Sequence, residues 1–183
     1  NPRVNVDGAK AAWYAVGATA TWTGLAGHKV LVGMEVQRNT QRDQYNFDID
    51  PYELAMDDRR ADSRAGVFIE DEAHLAPGLI LNAGVRYDRD TITGSRVNPR
   101  AALIWHATPK DTFKLIYGTA YRPPNAYELY YNVDAYAVLN PHLKPEEIVT
   151  SELVWERQPD AYSKLSAAAF HYRLTDLISE TLR

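Results

Sequence analysis

The chain has 183 residues, 45% hydrophobic and 24% charged, with a formal net charge of −4. That balance excludes a disordered polyelectrolyte, and no run approaches the roughly 20 consecutive apolar residues of a membrane helix. The mild acidity speaks against a nucleic-acid partner, and the lack of cysteine removes thiolate metal sites, catalytic thiols and disulfides. Five scattered histidines show no paired-ligand spacing, and neither a phosphate-binding glycine loop nor a nucleophile elbow occurs. No cofactor and no enzymatic reaction are therefore expected.

In chain order, the dominant signal has period two. Over residues 10–22 the even positions from Ala12 to Trp22 are apolar. Over 28–38, Val30, Val32, Met34 and Val36 oppose Gly33, Glu35 and Gln37. Residues 63–75 alternate less cleanly, with Ala65, Val67 and Ile69 on one face and Phe68 on the other. Over 79–88, Leu81, Val85 and Tyr87 oppose Asn82, Arg86 and Asp88. Ala101, Leu103 and Trp105 oppose Arg100 and His106, and Leu115, Tyr117, Thr119 and Tyr121 oppose Lys114, Gly118 and Arg122. Val149, Leu153 and Trp155 oppose Glu152 and Glu156, and over 162–173 the set Ala168, Phe170 and Tyr172 is expected to face outward. Such alternation predicts strands with one apolar and one polar face. About eight are expected, most of them roughly 10 residues or longer, the length a tilted strand needs to cross a bilayer.

The connections alternate as well. Short ones near 24–27, 75–78, 108–111 and 158–161 carry Gly or Pro, as tight turns do. Longer ones are expected at 40–62, 89–98 and 123–146. Short turns at one end and long loops at the other are how outer-membrane barrels are built. Aromatics such as Trp13, Tyr14, Trp22, Tyr87, Trp105, Tyr117, Tyr121, Trp155 and Tyr172 fall near strand ends, where an interfacial girdle would sit. The fold expected is all-β, an antiparallel up-and-down meander forming part of a transmembrane barrel. The alternatives are a soluble antiparallel β-sandwich binding module and a passive outer-membrane porin or adhesin barrel.

Several strings resemble a known family. Gly66-Val67-Phe68-Ile69-Glu70-Asp71-Glu72 followed by Gly84-Val85-Arg86-Tyr87-Asp88 resembles a strand pair of TonB-dependent receptors, and Asn98-Pro99-Arg100-Ala101-Ala102-Leu103 resembles the strand after it. More specific are Tyr117-Gly118-Thr119-Ala120-Tyr121-Arg122-Pro123-Pro124-Asn125-Ala126-Tyr127-Glu128-Leu129-Tyr130 and its sequel Leu139-Asn140-Pro141-His142-Leu143-Lys144-Pro145-Glu146, similar in order and spacing to the C-terminal half of the family barrel. The resemblance implies uptake of a scarce nutrient across the bacterial outer membrane, an iron–siderophore complex first among the candidates. Its implied partners are outer-membrane lipid, a small metal-chelate ligand, and the energy transducer TonB through an N-terminal region outside residues 1–183. Those residues would form one partial barrel domain, with the plug domain and final strand lying elsewhere, because the family barrel has roughly 22 strands. An isolated arc, with two open edges, is expected to be inactive in transport.

Candidate ligand residues lie in the expected outer loops: Tyr45, Tyr52, Arg122, Asn125 and Tyr127. Arg122 could grip an anionic chelate through its planar fork, or pair with a barrel carboxylate while the two prolines stiffen the strand exit. Asp48, Asp50 and Glu53 offer hard oxygen ligands for calcium, but without the ordered acidic motif of a calcium loop, and charged surface loops are common.

Overall fold

Period-two alternation becomes, in the computed structural model, a single antiparallel sheet in which each strand pairs with the next in the chain. The structure describes residues 3–133, 140 and 142–179; Leu139 and Pro141 of the second motif and residues 180–183 lie outside them. The strands are β1 (Asn5–Trp22), β2 (His28–Ile49), β3 (Tyr52–Ala76), β4 (Leu79–Asp90), β5 (Gly94–His106), β6 (Asp111–Arg122), β7 (Glu146–Arg157) and β8 (Leu165–Thr175), with one short helix, α1 (Ala126–Tyr130), between β6 and β7. Among the described residues no helix is long and apolar enough to cross a membrane, which leaves open crossing by strands.

Directly paired residues share a face, so the register carries each strand's alternation to its neighbour. Ala18 pairs with Met34, Met34 with Val67, and Val67 with Tyr87, a continuous apolar row across four strands. A second row runs from Leu81 through Leu103 and Leu115 to Leu153. These side chains are open to the surroundings: Val16 is 70% exposed, Met34 and Val67 53%, and Leu115 57%. The only buried hydrophobic residues among those described are Met56, Ala73 and Leu129. A sandwich would cover this face with a second sheet, and none is present among the described residues. Leaving a Val- or Leu-sized side chain in water forfeits about 1.5–3 kcal/mol, so the face suits a hydrocarbon solvent.

The opposite face is polar and internally paired. Arg86 Nη2 lies 2.8 Å from Asp88 Oδ1 and 4.0 Å from Glu35 Oε2, Lys114 Nζ lies 3.0 Å from Glu156 Oε2, and Arg100 pairs with Glu70. Near the turn end of the apolar face, Phe113 pairs in register with both Trp105 and Trp155, and the Trp105 and Phe113 rings lie 5.8 Å apart. Trp22 and Tyr14 bracket the apolar run of β1, about 26 Å apart along the strand, matching a roughly 25 Å apolar band. Gly27 and Gly78, with φ of +78° and +76°, close two of the tight turns.

Four sequence expectations are corrected. The segment 40–62, expected as a loop, is the upper half of the β2–β3 hairpin, strands of 22 and 25 residues paired up to Ile49 and Tyr52 around Asp50-Pro51. Alternation continues there but changes phase, because a bulge between Asn39 and Arg42 inserts an extra residue in β2. The segment 89–98 is also mostly strand; Asp90 Oδ1 accepts hydrogen bonds from the backbone N–H groups of Ile92 and Thr93 at 2.7 and 3.0 Å and closes a tight turn. In β8, Leu153 pairs with Ala169 and Glu152 with Phe170, which puts Phe170 and Tyr172 on the polar face; the Tyr172 hydroxyl donates to Glu152 Oε1 at 3.0 Å. Finally, β6 leaves β5 above Gly118 while staying paired with β7. Tyr121 there joins Glu35, Arg86 and Asp88 around a hollow on the polar face instead of following Tyr117.

Candidate ligand-binding site

The site is built where the tall β2–β3 hairpin meets the connection after β6. Above the bulge, even positions of β2 turn to the polar side, and α1 packs there. Gln44 Nε2 donates to the Ala126 carbonyl at 2.9 Å, and Asn46 Nδ2 donates to the Tyr131 hydroxyl at 3.3 Å. Gln44 and Asn46 are both 5% exposed, so these bonds satisfy amides that would otherwise be buried unpaired. From β3, the Arg60 guanidinium lies 3.5 Å from the Tyr130 ring centroid, a cation–π contact. Leu129 is 2% exposed and is the most enclosed side chain of the region.

A helix of five residues is too short to persist on local hydrogen bonds, and besides the hairpin contacts two devices hold it. Asn125 caps it: its side-chain oxygen accepts from the Glu128 N–H at 2.9 Å, while Glu128 Oε2 accepts from the Asn125 N–H at 2.7 Å, a capping box. Arg122 Nη1 donates to both carboxylate oxygens of Glu128 at 3.0 and 3.1 Å, and its Nε donates to Glu146 Oε2 at 2.6 Å. The Ile178 N–H also donates to Glu146, at 2.9 Å. Arg122 and Glu146 lie beyond the apolar band. Arg122, seconded by the Ile178 amide, pulls the Glu146 carboxyl down to about 2, and the two carboxylates raise the Arg122 guanidinium.

The expected ligand residues separate into two groups. Tyr127 is 54% exposed and stacks on Tyr131 with ring centroids 4.5 Å apart, forming an accessible aromatic shelf. Arg122 and Asn125 stand beside it, but their polar groups are engaged by Glu128 and Glu146. Tyr45 and Tyr52 occupy the other face of the hairpin, in a ladder with Phe47 at centroid distances of 6.2 and 5.8 Å. Among the acidic residues, Asp48 and Glu53 share Arg3, whose Nη1 lies 3.2 and 2.8 Å from them, and Asp50 stands at the hairpin tip. No group of three His, Asp or Glu side chains is arranged to hold a metal ion among the described residues. The sequence reading missed Gln44, Asn46, Arg60, Tyr130 and Tyr131. Tyr130 closes the motif quoted above and Tyr131 follows it, whereas the hairpin residues carry no local signal of their role.

Comparison with known proteins agrees with this architecture. Residues 3–183 match the family model described as TonB dependent receptor-like, beta-barrel. A stretch of 79 residues, 42% of this chain and 11% of the relative, is 35% identical to the ferric enterobactin receptor of Pseudomonas aeruginosa. The crystal structure of a mutant of that receptor superposes with a TM-score of 0.70 at 22% identity, covering 88% of this chain and 26% of the receptor. The siderophore receptor PirA of Acinetobacter baumannii gives a TM-score of 0.71 at 18% identity over 88% of this chain and 26% of that one. The chain thus spans about a quarter of the length of these receptors, and at such identities the likeness establishes the fold. With the family model matching nearly end to end, the chain belongs to the TonB-dependent receptor β-barrel family.

Proposed function

We propose that the chain forms part of the wall and mouth of a bacterial outer-membrane receptor that takes up a ferric siderophore with energy supplied through TonB. The observation that carries this reading is the pairing of an exposed apolar face with a polar inner face on membrane-length strands, surmounted by an aromatic mouth. The apolar face meets lipid, and the polar face lines an interior that holds the plug in an intact receptor. The relatives named for ferric enterobactin and siderophores support the cargo class. A ferric chelate built from aromatic rings and carrying negative charge suits the Tyr127–Tyr131 shelf, with the Arg60 guanidinium beside it on Tyr130. In this reading Tyr127 touches ligand, Arg122 and Asn125 position the shelf, and Tyr45 and Tyr52 line the outer hairpin face.

Uptake of radioactive iron as ferric enterobactin tests it. Cells lacking other siderophore receptors and carrying the full-length receptor that contains this segment should accumulate iron only when TonB is present. Uptake independent of TonB would point to a passive porin. A receptor that stays in solution without detergent would overturn the membrane reading.

A further inference from the structure

Most arginines of the described residues lie against a carboxylate, such as Arg42 on Asp62 at 2.5 Å and Arg96 on Glu147 at 3.1 Å. Four do not: Arg64 donates to Gln37 on the polar face, Arg173 stands on β8 opposite Val149, and the other two, Arg38 and Arg89, are neighbours on the outward face. Both are exposed, and neither makes an ion pair among the described residues. Arg38 donates only to the Ser63 hydroxyl, at 2.7 Å. Each is the first charged side chain beyond an apolar run on the outward face. Arg38 follows Val32, Met34 and Val36 on β2, and Arg89 follows Val85 and Tyr87 on β4.

The register places them as neighbours. Arg38 pairs with Ser63 and Arg89 with Ala65, two residues along β3, the strand between them. Two strand spacings and a two-residue offset put their Cα atoms about 12 Å apart, so both long side chains can reach one headgroup. Tyrosines flank the pair. Tyr14 stands opposite Arg38 on β1, and the Tyr87 hydroxyl, within 2.9 Å of Ser95 Oγ, marks the polar edge of the band beneath Arg89. Tyrosine at the interface with an unpaired cation just above it is the arrangement of a headgroup contact.

We propose that Arg38 and Arg89 form a docking surface for the phosphate of an outer-leaflet lipid headgroup, a role that rests on the outer-membrane reading above. Guanidinium groups hold phosphate through paired N–H donors. Each cation at an anionic membrane surface is worth about fivefold in binding, equivalent to ~1 kcal/mol.

The test uses the full-length receptor in nanodiscs of phosphatidylcholine doped with phosphatidic acid, with native mass spectrometry counting the lipids retained. The unmodified receptor should retain phosphatidic acid preferentially. The double variant Arg38→Gln with Arg89→Gln should lose that preference by roughly 25-fold, whereas Arg38→Lys with Arg89→Lys should keep most of it. Entry of the glutamine variant into phosphatidylcholine nanodiscs shows that it folds. Entry with an unchanged preference would overturn the proposal and leave the membrane reading standing. Failure of the unmodified receptor to enter any nanodisc would overturn both. Displacement of phosphatidic acid by millimolar inorganic phosphate would overturn the lipid assignment in favour of a soluble anion.

Discussion

Arg122, the last residue of β6, donates through Nε to Glu146, the first residue of β7, at 2.6 Å, and the same guanidinium reaches Glu128 of α1. One side chain therefore ties both roots of a long connection to the helix inside it. An exposed ion pair is worth at most about 1 kcal/mol, so Arg122→Ala should barely change global stability. It should instead release α1. Hydrogen exchange of the amides of residues 126–131 should speed up markedly, while exchange in β6 below Gly118 stays unchanged.

The same cluster sets a pH dependence. The Glu146 carboxyl is held at about 2, below its ordinary 4.5, chiefly by Arg122 and then by the Ile178 amide. A depressed folded-state value means the pair's stabilisation is complete above the unfolded-state value and lost as pH falls through the folded one. Protection of α1 should thus be flat from neutral pH to about 5 and decline between about 4.5 and 2. The variant Glu146→Gln should lack this decline. A decline setting in near pH 6 would implicate a histidine instead.

The two faces of β6 predict opposite tolerances. Leu115 points into the apolar row, while Lys114 next to it pairs with Glu156 on the other face. Leu115→Arg should cost about 2–4 kcal/mol if that row lies at the bilayer midplane, read from urea unfolding of the full-length receptor in liposomes. Lys114→Gln should cost under about 1 kcal/mol. Equal costs would mean that the apolar face does not meet lipid.

Gly84 marks a close approach between strands. A Cβ there would lie 2.9 Å from the Ile69 carbonyl oxygen and 3.2 Å from Glu70 Cβ, and backbone cannot swing aside as a side chain can. Gly84→Val should destabilise the barrel by about 1–3 kcal/mol, visible as a lower temperature for the gel-mobility shift of the folded form.

Ligand binding should separate the tyrosines. Tyr127→Ala removes the exposed half of the stack and should weaken siderophore binding several-fold, since such a ring pair is worth about 0.5–1.5 kcal/mol. Tyr45→Ala, on the far face of the hairpin, should leave affinity within a factor of two. Fluorescence titration of the full-length receptor distinguishes the two, and the reverse ranking would move the site to the outer face.

Much of the sheet was legible because period two is a local property. Val30 to Val36 alternate with Glu35 and Gln37, and no distant information is needed to see two faces. The upper hairpin was missed because the bulge at Asn39–Arg42 moves the apolar residues from even positions to odd ones, Tyr45, Phe47 and Ile49. Eight consecutive polar residues, Gln37 to Gln44, also hide the change of phase. The facing of Phe170 and Tyr172 could not be read because alanines occupy both faces of β8 and only the pairing with Leu153 decides. At the mouth, Tyr127 was visible through its motif. Its support was not, because Gln44 and Ala126 are 82 residues apart and meet only in the folded chain.

The hairpin's length has an outward consequence. Residues 40–49 continue β2 beyond the level of the lipid-facing run, adding up to about 30 Å of strand. The corner at Asp50-Pro51 is thereby the summit of the described structure, and anything as bulky as an antibody meets it before it can reach the tyrosine shelf. On the outer-membrane reading proposed above, a tag inserted at that corner should be accessible to antibody on intact cells without displacing the tyrosine shelf below it.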